Sequence, residues 1–259
     1  MERLSAADEK GGSIMLGADT CAVVAHIVAT HPEIGHVYFG APRVNPQLLD
    51  RVANKPSDRQ FVEVALKRNR DLDLSTWFLA LSASNIPQGV LDAAAFHQGI
   101  SSSQFSVPAD GLTADTVDEL ARRQPQDRIF SLCSLVQLRA GSKKHLPMID
   151  FQCRKTATSL DLVRDVTIRV GGGAGFIVET ARSYHFFGLE VFSEYELAQF
   201  LGRALLYAPI VDQAWITHQL IDMCCALRIV PRTPTLPAPA GSAASRQDTV
   251  VAVVESSRR

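Results

Sequence analysis

The sequence predicts an α+β protein built on a βαββαβ core, and three observations carry that prediction. From about residue 128, apolar runs of strand character alternate with segments of helical spacing. Two of the runs, FIVET and YHFFGLEVF, are separated only by Ala181, Arg182 and Ser183, which makes them a hairpin. A segment with strong helical periodicity, SEYELAQFLGRALLYA, follows that hairpin.

Residues 1–13 are polar and glycine-containing and read as a flexible leader. SIMLGADTCAVVAHIVATHP is expected to be helical up to His31-Pro32, and HVYFGAPRV to be a strand ended by Pro42. NPQLLDRVANK opens on an Asn-Pro pair suited to a helix cap and first turn. FVEVALKRNR reads as a strand with a basic end, and LSTWFLALSASNIPQGVLDAAAFHQG as a helix broken near Pro87. TADTVDELARRQ is a short helix capped by Thr113 or Thr116, with Arg122 and Arg123 in its last turn where the dipole favours cations. Residues 14–127 thus form an N-terminal α/β extension.

The core is expected over 128–232. RIFSLCSLVQLR is a strand, AGSKKH a turn, and LPMIDF a short apolar strand ending in a carboxylate. TSLDLVRDVTIRV has helical spacing behind a Thr or Ser cap, and GGGAG is a loop before the hairpin. That loop is not a phosphate loop, because no Lys-Ser or Lys-Thr follows and the next element is a strand. Ser193 stands three residues before Glu196, a capping box for the helix after the hairpin. PIVDQAWITHQLIDMCCALRI is a helix, or a helix leading into a strand. Residues 233–259 are a proline- and alanine-rich tail in which DTVVAVVE is a last strand or a disordered end. The order of elements is that of ferredoxin-like and RNA-recognition-like folds. Those folds host too many functions to decide this one.

With 259 residues, 46% hydrophobic and 20% charged, the chain has the composition of an ordinary globular protein. A net charge of −1 excludes a global basic field, so any contact with nucleic acid must be a local patch. The five cysteines are odd in number and contain no CxxC pair, which argues for buried thiols in a reducing cytoplasm. Cys153, Cys224 and Cys225 are the three that could converge in space. No run approaches ~18 apolar residues, and MERLSAADEKGG lacks the order of a signal peptide. No membrane partner is expected.

Several residues invite chemistry. Asp150 ends an apolar strand, where a charge is costly unless it lies at the sheet end or is bound. Asp212 follows Ile210-Val211 and opens a helical run, which suits an N-cap as well as a ligand. His185 alternates with Tyr184 and Phe186, and Arg228 sits in the apolar stretch ALRI. His218 and Asp222 are four apart and share a helix face. Trp215 belongs to the core or stacks on a base.

Taken in order, LPMIDFQC, ARSYHFFG and IVDQAWITHQLIDMCCALRI resemble the three motifs of the archaeo-eukaryotic primase superfamily, which includes the primase-polymerases. The resemblance spans roughly residues 128–232 and looks closest to a bacterial and archaeal primase-like branch. It implies a primase-like core that joins nucleotides on a single-stranded DNA or RNA template, in replication or repair. It also implies that Asp150 and Asp212 hold Mg²⁺ or Mn²⁺, and that Ser183 and His185 contact the phosphates of a nucleoside triphosphate. Arg182 and Arg228 become phosphate-facing cations, since a guanidinium can fork onto two oxygens. The pattern departs from the family at Gln152, which replaces the second carboxylate of the first motif. Glu179, on the incoming strand of the hairpin, is the candidate substitute. Two readings follow: a nucleotidyltransferase with weakened catalysis, or a nucleotide or nucleic-acid binder without turnover.

Overall fold

The computed structural model describes residues 15–43, 59–61, 63, 64, 67, 100–229 and 248–255. Residues 1–42 and 99–259 form one compact unit, and residues 43–98 a second. In the second unit, residues 59–61, 63, 64 and 67 are helical, where the sequence reading placed a strand over FVEVALKRNR. Arg59 and Glu63, one turn apart, pair at 3.3 Å, a spacing that supports a helix and not a strand. The leader and the helices expected over 45–55 and 74–99 lie outside the described residues.

The first unit opens with α1 (Thr20–Thr30), β1 (Ile34–Gly40), a 3₁₀ turn and β2 (Gln104–Pro108). Next come α2 (Ala114–Arg122), β3 (Ser131–Leu138), β4 (Lys143–His145) and β5 (Met148–Asp150). The chain continues through α3 (Ala157–Val170), β6 (Gly175–Glu179), β7 (Tyr184–Gly188) and α4 (Glu194–Leu205). It closes with α5 (Gln213–Asp222), β8 (Ala226–Arg228) and β9 (Thr249–Val254). Each helix starts where a short polar side chain caps it. Asp19, Thr113, Thr156, Ser193 and Asp212 each accept the amide three residues on, and Ser193 with Glu196 completes the capping box.

Two sheets result. One has the order β2-β1-β3-β4, with β8 also paired to β3, and the other runs β5-β7-β6-β9. Since β1 and β3 are neighbours, a domain boundary at 127/128 would cut through one sheet; the segment 15–42 belongs to the same body as the core. AGSKKH is more than a turn, because its last three residues form β4 against Leu135–Gln137. Of the two readings of DTVVAVVE the structure takes the strand, so residues 249–254 belong to the sheet and not to the proline-rich tail. The β-branched run TVVAVV pairs with the whole of β6, alternately buried and half-buried. Residues 17–19 pair in turn with β9, Gly17 donating to Val250 and Val250 to Ala18.

The strands β5, β7 and β6 stand in the order that the first three strands of a βαββαβ unit take, all antiparallel. The fourth strand departs from that plan. At its place beside β5 there is a single antiparallel bridge, Phe151 to Val211, after which the chain turns into α5 and delivers β8 to the other sheet. The last turn of α3 backs onto β7: Gly171 ends that helix in the left-handed region (φ 81°), and Gly172 lies against Phe186 and Thr167. Phe39, Phe186, Phe187 and Phe200 are among the largest fully buried side chains of one continuous core. His26 of α1 meets Phe176 edge-on at 5.3 Å, so α1 covers the sheet face opposite to α3.

Gly175 sits where any Cβ would press into the Phe187 carbonyl and the Phe186 ring. Gly175→Ala is therefore expected to destabilise the protein by about 1–3 kcal/mol, the usual cost of overpacking. A lower urea midpoint at constant m would show it, and an unchanged midpoint would refute the close approach.

Candidate functional site

The site forms where β5 and β7 end. Asp150, His185 and Val178 are direct cross-strand partners, so their side chains share one face of the sheet. It is the face that α1 covers, since Phe176 and Val178 are two residues apart on β6. His185 Nε2 stands 3.5 Å from Asp150 Oδ1. The bridge at Phe151–Val211 then brings in Asp212, whose amide donates to the Asp150 carbonyl at 2.9 Å. Asp212 Oδ1 also accepts the Trp215 amide at 2.9 Å, so this carboxylate caps α5 with one oxygen.

The electrostatics follow from that packing. Burial and the Asp212 carboxylate push the Asp150 carboxyl up to about 7, with Arg228 pulling in the other direction. Burial, assisted by Arg228, holds the His185 imidazole down to about 3, so it is neutral at physiological pH. Its Nδ1 is buried and has no hydrogen-bond partner among the described residues. Two interacting carboxylates, a neutral imidazole and a cation thus occupy one sheet end.

The hairpin carries Arg182 on its exposed tip and Ser183 beneath it. Thr180 organises the turn: its hydroxyl accepts the Arg182 and Ser183 amides at 3.4 and 3.1 Å, and its amide donates to the Ser183 carbonyl. That ring of bonds replaces the Asn-Gly of a two-residue hairpin. Ser183 Oγ lies 3.9 Å from Cys153 Sγ. Ser183 and His185 are both buried, at 6% and 7% exposure, deeper than a cleft-lining role alone requires.

Glu179 is turned away. It pairs with Tyr184, one residue out of phase with His185, and its side chain lies on the opposite face. There it meets Lys155 Nζ at 3.1 Å, while Tyr184 Oη donates to the Thr156 carbonyl. The structure therefore does not bring Glu179 to Asp150 as a substitute for the missing carboxylate. Gln152 is exposed and donates its side-chain amide to the Pro209 carbonyl at 3.0 Å. Trp215 is half-buried and packs against the core, its Nε1 donating to the Ala226 carbonyl at 3.1 Å. Asp222 accepts the Ile100 amide at 3.1 Å. The cysteines do not converge as three: Cys224 lies with Cys133 and Ser134, and Cys153 lies with Ser183.

One residue was hidden from sequence reading. Asp248, just before β9, is 1% exposed; its Oδ2 has no hydrogen-bond partner among the described residues and stands 3.9 Å from Arg228 Nη2. Burial raises its carboxyl, opposed by Arg228 and then Lys155. The signal was present as a lone acid heading a β-branched run, but a proline-rich approach disguised it as tail.

Fold and site together define an α+β protein whose described residues form two antiparallel sheets, with an acidic, histidine-bearing strand end. The model of the archaeo-eukaryotic primase 1D-like family matches residues 108–238, that is 131 of the 259 residues, and the chain belongs to that family. No curated protein and no solved structure matches it significantly. No helix among the described residues is long and apolar enough to cross a membrane.

Proposed function

We propose that the chain binds a metal–nucleoside triphosphate at the Asp150–Asp212 end of the β5-β7-β6-β9 sheet and acts as a primase-polymerase-type nucleotidyltransferase with weakened transfer. The observation that carries this is the Phe151–Val211 bridge, which sets two carboxylates side by side and leaves Asp150 straining against its own charge. A hard divalent cation relieves that repulsion, and Asp150 and Asp212 are the oxygen donors that would hold Mg²⁺ or Mn²⁺. When bound, the ion supplies charge stabilisation for the phosphoryl oxygens and the departing pyrophosphate. Arg182 and Arg228, both exposed, are the guanidiniums that take the phosphates. Ser183 and His185 hold the hairpin and the Asp150 carboxyl in register, His185 as a neutral hydrogen-bonding group. In this reading β5-α3-β6-β7-α4 and the 211 bridge are a primase-like version of the ferredoxin-type core, working on a single-stranded DNA or RNA template in the cytoplasm.

Gln152 favours a second reading, nucleotide or nucleic-acid binding without turnover. Its amide is tied to Pro209 and brings no charge, Glu179 faces away, and among the described residues no three His, Cys, Asp or Glu side chains gather into a metal group. Primer extension on a single-stranded template separates the two.

The shared site is tested by melting. Mn²⁺ with a nucleoside triphosphate is expected to raise Tm, since a ligand that binds only the folded state stabilises it. Asp212→Asn removes most of that shift without lowering the apo Tm, because Asn caps helices as well as Asp and relieves the repulsion on Asp150. A full shift in this variant would confine Asp212 to capping α5.

A further inference from the structure

We infer that Cys133 and Cys224 form a redox pair, which hydrogen peroxide closes to a disulfide that ties the corner between α5 and β8 to β3. Cys133 lies on β3 directly across from Ala226 of β8, and Cys224 stands in the turn two residues before that partner. With Ile100 the two thiols form a small buried cluster of their own. The Cys133 thiol donates to the Cys224 sulfur, so the two sulfurs already face each other.

The turn that carries Cys224 is fixed. Met223 ends α5 in the left-handed region (φ 48°), and the Gln219 carbonyl accepts the Cys224 amide at 3.2 Å. Gln219 Oε1 accepts the Ala226 amide at 2.9 Å. The Cys224 sulfur is thereby held among donors: Ser134 Oγ at 3.7 Å and Gln104 Nε2 at 3.9 Å. Ser134 Oγ itself accepts the Cys225 amide at 2.9 Å and stands 3.1 Å from His145 Nδ1. With His145 in its Nδ1–H tautomer both of these donate to Ser134, and the single hydroxyl hydrogen is left for Cys224. As a thiol, Cys224 donates in turn to the Cys225 carbonyl at 3.5 Å.

Donors gathered around a sulfur favour its thiolate. The bond from Cys133, then those from the Leu135 backbone and from Ser134, outweigh burial and draw the Cys224 thiol below its ordinary range. The same bond and burial push Cys133 up, and burial pushes Cys225 up. The two partners thus divide the work. Cys224, 7% exposed, is the sulfur a small oxidant reaches, while Cys133 is fully buried and meets only Cys224. Cys153 is more exposed than either, yet burial raises its thiol. Exposure and activation therefore select different cysteines.

The chemistry balances with peroxide as the two-electron oxidant. The Cys224 thiolate attacks one peroxide oxygen, the O–O bond breaks and hydroxide leaves, giving a sulfenic acid. Cys133 then attacks the Cys224 sulfur, and its proton departs with the displaced hydroxyl as water. Two thiols and one peroxide become one disulfide and two waters. Small thiols reverse the bond by exchange.

The reduced full chain, freed of reductant, is treated with hydrogen peroxide at neutral pH, alkylated, digested without reduction and mapped by mass. The free-thiol count should fall from five by two, with one cross-linked peptide pair joining Cys133 and Cys224, and dithiothreitol should restore all five. Cys133→Ser should hold the reaction at the sulfenic acid, seen as a dimedone adduct on Cys224. Cys224→Ser should slow thiol loss at least about tenfold, while Cys153→Ser leaves it unchanged. A chain that keeps five thiols where free glutathione is fully oxidised overturns the inference. So does first oxidation at Cys153, a bond to Cys225, or a Cys224 sulfenic acid that persists in the unaltered chain. These last outcomes are read without any substitution, so they decide the matter even where a serine variant fails to fold.

Discussion

Asp150→Asn makes the metal-free protein more stable at pH 8, by on the order of 2–4 kcal/mol, and leaves it nearly unchanged at pH 4. The sign comes from the direction of the shift. The Asp150 carboxyl rises from 3.8 to about 7 in the folded chain, so the native state holds a proton that the unfolded state has released. Between those limits stability falls as pH rises, and above about 7 the full penalty of a buried charge beside Asp212 is present. Asparagine removes that penalty while keeping the shape. The same variant should lose the Mn²⁺–nucleotide stabilisation, so one substitution raises apo stability and abolishes ligand response. Wild-type Mn²⁺ affinity should also rise with pH up to about 7, because the ion must displace the Asp150 proton. Urea melts at the two pH values decide the matter. Equal stabilisation at both would trace the gain to packing and not to charge.

His185→Ala should cost about 2–4 kcal/mol of stability and, separately, about 1.5–3 kcal/mol of nucleotide affinity. A strand-end imidazole that only faced a cleft would lose little stability on truncation. The structure instead packs it between β5 and β6 at 7% exposure, edge-on to Phe187 at 6.2 Å, so its removal leaves a cavity. Affinity is measured well below the variant's own Tm, so the two losses are read independently. Because burial keeps the imidazole neutral down to about pH 3, His185 should add no inflection near 6.5 to nucleotide affinity beyond the rise that Asp150 gives up to about 7. An inflection there that His185→Ala abolishes would make the residue a cation toward phosphate and refute its neutrality. Destabilisation with wild-type affinity would reduce it to packing.

The local grammar of the fold was legible because it is written in neighbouring residues. Thr113, Ser193 with Glu196, and the run from FIVET to YHFFG state their caps and pairing within a few positions, and the structure follows them. The three motif segments were legible for a similar reason, since each is short and its order along the chain survives. What escaped reading depends on partners far apart. Nothing local in TVVAVV says that it pairs with β6, and nothing in HVYFG says that it lies against β3. Glu179 shows the limit at a single residue: its place beside the hairpin was clear, but one step of strand alternation, set by the register with Tyr184 and His185, decides which face it serves. Burial of Ser183 and His185 was hidden likewise, because it depends on residues distant in sequence, Cys153 beside Ser183 and Asp150 across from His185.

The pairing of residues 17–19 with β9, and of β9 with β6, has a bearing on how the chain is made. During synthesis the hairpin, α4 and α5 leave the ribosome while β6 still presents an open edge, a template for stray strands. The β5-β7-β6 sheet, with the Asp150–Asp212 end already formed, waits for residues 249–254 to seal it and to bring Asp248 beneath Arg228. Early segments thus stay unlatched until β9 has emerged, and the nascent protein's exposure to aggregation is set by that late strand and not by α1.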